Sequence, residues 1–96
     1  MTSQQRTQLR SLAHHLDPVV MIGKSGLTEG VIAATAKALK AHELIKVRFL
    51  DHKEEKDALS EQLATATECA IAGIIGHVVI LYKENPDPDK REIVLD

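Results

Sequence analysis

The sequence predicts a single α/β domain in which one mixed four-stranded sheet is packed with helices, and three observations carry that prediction. Segments with a helical apolar stripe alternate with short strand-like runs in the order α-β-α-β-α-β-β. Strands separated by helices require crossovers and hence parallel neighbours, whereas the last two runs are separated only by Gly76-His77, the link of a tight antiparallel hairpin. The length, 96 residues, gives room for one core.

The first helix is expected over Gln4 to Leu16, where Leu9, Leu12, Ala13 and Leu16 form an apolar stripe, Thr2 or Ser3 can cap it, and Asp17-Pro18 closes it. Val19 to Ile22 is a short continuous apolar run, read as a strand buried on both faces. Gly23-Lys24-Ser25-Gly26 is a turn. Thr28 then caps a helix from Glu29 to His42 whose inner face is Ile32, Thr35, Ala36 and Leu39.

From Leu44 to Leu50 the pattern alternates, with Ile45, Val47 and Phe49 on one side and Lys46 and Arg48 on the other: a half-buried strand with a basic outer face. Asp51 to Thr67 reads as the third helix, packed through Leu59, Leu63 and Ala66. Ala70 to Ile75 and Val78 to Lys83 are the hairpin strands. After them Glu84 to Arg91 contains two prolines and no apolar residue, which predicts an exposed tail over residues 85–96 following a domain of residues 1–84. Ile93 to Leu95 is apolar enough for a short last strand.

Composition narrows the chemistry. Hydrophobic residues are 44% of the chain but aromatics only 2%, so the core is built from Leu, Ile, Val and Ala, and little base stacking on aromatic rings is expected. The longest apolar runs are of strand length, no secretion signal opens the chain, and the lone Cys69 can form no internal disulfide; a cytoplasmic protein that does not enter membranes is expected. The net charge of −2 hides an asymmetry: residues 1–50 hold seven Lys and Arg against three acids, and residues 51–96 hold five against eleven. Any affinity for a polyanion must therefore come from a local patch.

The Gly23–Gly26 turn carries the most chemistry. It joins a strand to a helix start, so loop N–H groups, the helix dipole and Lys24 can converge on one anion. It is not a P-loop, because Pro18 occupies the position of that motif's first glycine, and Met21 breaks a dinucleotide-binding GxGxxG pattern. What remains is a GxxG loop, of the kind that clamps a few backbone nucleotides in KH-type modules.

Around that loop, Leu16-Asp17-Pro18-Val19-Val20-Met21-Ile22-Gly23-Lys24-Ser25-Gly26-Leu27-Thr28-Glu29-Gly30-Val31, then Ala38-Leu39, His42-Glu43-Leu44-Ile45-Lys46-Val47-Arg48 and Ile75-Gly76-His77-Val78-Val79-Ile80-Leu81-Tyr82-Lys83, the chain resembles the CRM-domain family. It looks like the family's stand-alone bacterial YhbY-like members. The resemblance implies a single RNA-binding domain similar to the C-terminal domain of translation initiation factor three, acting on ribosomal RNA in precursors of the large ribosomal subunit. It maps the family's GxxG loop onto Gly23, Lys24, Ser25 and Gly26. Members are commonly basic, whereas this chain is net negative with an acid-rich tail.

On this reading Lys24 and the loop amides grip a phosphate while Arg6, Arg10, Lys37, Lys40, Lys46 and Arg48 extend the positive surface. The protein is expected to be monomeric and to need no cofactor or metal. No catalytic residues are expected: the five histidines lack metal-ligand spacing, and no paired carboxylates, Ser-His-Asp order or CxxC motif stands out. The competing reading is a protein-protein adaptor whose acidic half docks on ribosomal proteins.

Overall fold

The computed structural model describes residues 1–96. Helix α1 (Ser3–Ala13) starts with a capping box, in which the Thr2 hydroxyl accepts the Gln5 N–H at 3.1 Å and the Gln5 side chain accepts the Thr2 N–H at 3.0 Å. It stops three residues before Leu16, because only Leu9 and Ala13 reach the core; Leu12 and Leu16 remain 47% and 39% exposed.

Strand β1 (Val20–Ile22), helix α2 (Glu29–His42) and strand β2 (Leu44–Phe49) form a parallel crossover between adjacent strands, with Val20 opposite Val47 and Ile22 opposite Phe49. Helix α3 (Lys56–Thr67) leads to the hairpin of β3 (Ala70–Ile75) and β4 (Val78–Tyr82). Its turn has Gly76 at φ +60, as a two-residue hairpin link with glycine in first place requires. The sheet order is β1-β2-β4-β3, so the last strand made lies between β2 and β3 and pairs antiparallel with both.

Several local expectations shift. β1 is an edge strand, and Met21 is 44% exposed because no helix covers that side of it; it is not buried on both faces. α3 starts at Lys56: His52 adopts a left-handed conformation at φ +55, and Lys53–Glu55 form a 3₁₀ turn before the helix proper. Its buried side is Ser60, Leu63, Ala64 and Thr67, while Ala66 is exposed. On α2, Thr35 and Leu39 are buried as expected, but Ala36 is exposed and Ala38 packs against the core.

The two sheet faces are covered unequally. α2 and α3 close one face over Ile22, Ile45, Val47, Phe49, Val79 and Leu81. α1 closes only part of the other, over Leu44, Ala72, Ile80 and Tyr82. Beyond the end of α1 that second face stays open, and there Lys46 and Arg48 stand on β2.

The tail departs from its expectation. Residues 85–96 form no strand, and although most of their side chains are exposed, the segment is docked. Its anchor is Glu43, 2% exposed at φ +59 between α2 and β2, whose carboxylate accepts the N–H groups of Asn85 at 2.7 Å, Glu92 at 2.6 Å and Ile93 at 3.2 Å. Ile93 and Leu95 pack beside Leu9 and Leu44, and the Gln8 side chain donates to the Val94 carbonyl at 2.8 Å. Burial alone would raise the Glu43 pKa, but the three N–H donors and the nearby Arg91 outweigh it and hold the carboxyl below its usual value.

Candidate nucleic-acid interface

The Gly23–Gly26 loop is a hydrogen-bonded turn fixed at both ends. The Gly26 N–H donates to the Gly23 carbonyl at 3.0 Å, and Gly26 sits at φ +69, where a side chain would be strained. The Ile22 carbonyl accepts the N–H of Leu50 at 2.9 Å, tying the loop's root to the end of β2. A ring nitrogen of His52 lies 2.7 Å from the Lys24 carbonyl, so His52 donates there and props the turn from below. The Lys24 carbonyl therefore faces the protein.

The N–H groups of Lys24 and Ser25 donate to nothing within the chain, and both side chains are exposed with no hydrogen-bond or ion-pair partner. Immediately beyond, the Thr28 hydroxyl caps α2 by accepting the Val31 N–H at 3.1 Å, which places the positive end of the helix dipole beside the loop. Gly23 is informative for another reason. A β-carbon built there would meet no atom within 4 Å, and its φ is not left-handed, so nothing inside the protein requires glycine at this position. The open space over Gly23 lets a ligand approach the backbone closely.

The structure divides the other candidate residues into three groups. Arg48 is paired in register with Met21, three residues before Lys24, and so stands at the loop's end of the sheet. Lys46 and Arg10 join Arg48 around one groove on the open sheet face. Arg10 is partly committed: its guanidinium donates to the Ala72 carbonyl at 3.3 Å and to the Thr7 hydroxyl at 3.2 Å, and its stem lies across Gly73.

Arg6 lies elsewhere, in a recess with Glu61 and Glu68 at the α3 and β3 side. Lys37 and Lys40 are on the exposed side of α2. Lys40 is eleven residues past Glu29, roughly 16 Å along the helix axis, and shares a recess with Lys83 and Pro86 at the opposite end of the sheet from the loop. Nothing in the sequence connects His52 with the loop. No motif marks it, and its partner is 28 residues away.

Elsewhere the side chains do not form an activated centre. Burial pushes the Cys69 thiol up, against a hydrogen bond from Thr67 and the charge of Lys83, so it is not held as a thiolate. Burial also raises Tyr82, with Glu43 and Glu84 adding to the effect. No three His, Cys, Asp or Glu side chains converge as a metal site would need, and no helix is long and apolar enough to cross a membrane.

Comparison with known proteins finds a group that the chain is similar to. A family model for the CRS1/YhbY (CRM) domain matches residues 1–83. A protein of Pseudomonas aeruginosa named a probable RNA-binding protein is 38% identical over 92 residues, spanning 95% of this chain and 88% of the relative. One of Bacillus subtilis with the same description is 37% identical over 94 residues, spanning 97% and 98% respectively. The solution structure of a hypothetical Staphylococcus aureus protein, described as a candidate RNA-binding protein, superposes with a TM-score of 0.85 at 37% identity and covers 100% of this chain and 99% of its own.

Proposed function

This chain belongs to the CRS1/YhbY (CRM) domain family, and from that premise we propose that it is a non-catalytic RNA-binding protein whose Gly23–Gly26 loop clamps a backbone phosphate. The observation that carries the reading is the loop itself: the Lys24 carbonyl turned inward, the N–H groups of Lys24 and Ser25 unpartnered, an uncommitted ammonium on Lys24, and a helix N-terminus behind them. An RNA phosphate satisfies all of these at once. Arg48 and Lys46 continue the positive surface from the loop onto the open sheet face. Lys40, at the opposite end of the sheet from the loop, and Arg6, in a separate recess, would join the contact only with a large, folded RNA. Such an RNA agrees with the target that the family resemblance implies, ribosomal RNA in precursors of the large subunit.

The test is RNA binding across a salt series, by the wild type and by Lys24→Ala, with a large-subunit ribosomal RNA fragment and an unrelated duplex, and thermal unfolding as the control. Lys24→Ala should keep its fold, bind more weakly, and show a log-log salt slope shallower by roughly 0.7 to 0.9, the share of one phosphate. A wild type that binds with no salt dependence, or a folded Lys24→Ala protein with unchanged affinity and slope, overturns the clamp. Equal binding of both RNAs removes the ribosomal target and leaves the clamp.

A further inference from the structure

Resting on the RNA reading above, we propose that the open groove between the end of α1 and the sheet seats one unpaired nucleotide, its base on the groove floor and its phosphates on Lys46 and Arg48. The groove has a volume of about 270 Å³, close to the lower end of the range for ligand cavities, about 300 Å³. It admits one planar base. A duplex could touch its rim with phosphates but could not fill it.

The lining is unlike that of a simple phosphate patch. The floor is hydrocarbon from the partly exposed Pro18 and Val78, above the buried Ile80, which contributes nothing to a phosphate but covers the face of a base. Residues with planar side chains also line it: Arg10, Arg48 and His14, the C-cap residue of α1, whose ring lies edge-on to His15 at 5.2 Å and 79°. In a protein nearly without aromatic residues, these are the groups on which a splayed-out base can stack. Composition alone argues against base contacts because it counts Phe, Trp and Tyr and misses this cluster.

Apart from Arg10, the charges at the groove are also unspent. The chain has one salt bridge, Arg91 to Glu84 at 3.1 Å in the tail, so Asp17, Lys46 and Arg48 share a groove without pairing. Lys46 and Arg48 are two residues apart on one strand and therefore roughly 7 Å apart along it, a spacing suited to successive groups along a nucleic-acid backbone. Asp17 is an acceptor at the rim of a cationic groove. It would repel a phosphate but can accept the ring or exocyclic N–H groups on the edge of a base. A basic peptide would be repelled by the rim, and an acidic one would bring carboxylates but no planar base for the groove.

The experiment compares, by fluorescence anisotropy, an RNA hairpin carrying a single-nucleotide bulge with the same hairpin fully paired. The proteins are the wild type, Lys24→Ala, Lys46→Ala and Val78→Thr, the last keeping side-chain shape while making the floor polar. The wild type should prefer the bulged RNA about tenfold, in line with the stacking of one base. That ratio should fall toward one in Val78→Thr and Lys46→Ala, while Lys24→Ala weakens both RNAs and keeps the ratio. Equal affinity of the wild type for the two hairpins overturns the seat, and if Lys24→Ala still weakens both, the phosphate clamp survives it. A preference unchanged in both groove variants puts the base elsewhere and also overturns the proposal. Failure to bind either hairpin while the ribosomal RNA fragment is still bound overturns the seat and leaves the clamp, whereas failure to bind all three RNAs overturns both readings.

Discussion

Replacing Glu43 by Gln removes one charge from a buried site without changing its size, and its cost can be worked from the structure in two ways. The carboxylate accepts three N–H groups, two on Oε1 and one on Oε2. A glutamine keeps its carbonyl toward Glu92 and Ile93 and turns an NH₂ group against the Asn85 N–H. One buried donor then goes unsatisfied, at about 1–3 kcal/mol, and the remaining bonds lose their charge assistance. The second estimate lets the tail detach and rehydrate: Ile93 and Leu95, both half-buried, forfeit about half of a full burial each, about 2–3 kcal/mol together. Both routes lead to about 2–3 kcal/mol, or a fall in Tm of roughly 10–20 °C for a domain of this size. The pH dependence has a definite sign. The Glu43 pKa is lowered on folding, so its contribution is fully present above the ordinary carboxylate range and disappears as pH falls through the lowered value. The Tm gap between wild type and Glu43→Gln should therefore be widest near neutrality and close in acid. Thermal unfolding at several pH values measures it, and amide hydrogen exchange at Asn85, Glu92 and Ile93 locates it. A Glu43→Gln protein within about 2 °C of wild type at neutral pH, with those amides still protected, refutes the account of the tail.

Gly23→Ala adds a methyl group that meets nothing, so it should unfold within about 2 °C of wild type yet bind RNA more weakly, as titration would show; unchanged affinity would mean that no ligand comes close there. Gly26→Ala, at φ +69, should instead lower stability by about 1 kcal/mol and loosen the loop as well, read from the denaturation midpoint. His52→Ala removes the prop under the Lys24 carbonyl and should weaken RNA binding while Lys24 itself is intact, with the loop amides exchanging faster in NMR. Gly73→Ala puts a β-carbon 2.7 Å from Arg10 Cδ, so the arginine must leave the Ala72 carbonyl; a shifted Arg10 side-chain NMR signal checks this.

Patterns that repeat within a few residues were legible before the structure, and contacts spanning the chain were not. The alternation of β2, the glycine at the hairpin, the Thr28 cap and the GxxG turn are each written in adjacent residues, and each is present in the fold. The end of α1 is misread from the sequence because Leu12 and Leu16 continue the stripe although neither is buried in the core. The acids of residues 51–55 suggest a helix start, but left-handed His52 delays it. The docked tail was illegible for a plain reason: Glu43 meets partners 42 to 50 residues away. For the interface, helical spacing correctly paired Lys37 with Lys40 on one side of α2. It could not say that this side ends far from the loop, which depends on how the helix lies on the sheet.

The strand order has a consequence for how the chain comes to be folded. β4 is the last strand to be synthesised, yet it sits between β2 and β3 and supplies the partner for each. A nascent chain that has reached only Thr67 has a short parallel pair, β1 with β2, whose other edge is bare. At about 5–20 residues per second, the 33 residues from Phe49 to Tyr82 take roughly 2–7 s to add. Through that interval Ile45, Val47 and Phe49 lack their neighbours Val79 and Leu81. The domain therefore folds in one late step when β4 arrives, instead of growing from its N-terminus, and fragments that end before Val78 are the ones that will aggregate.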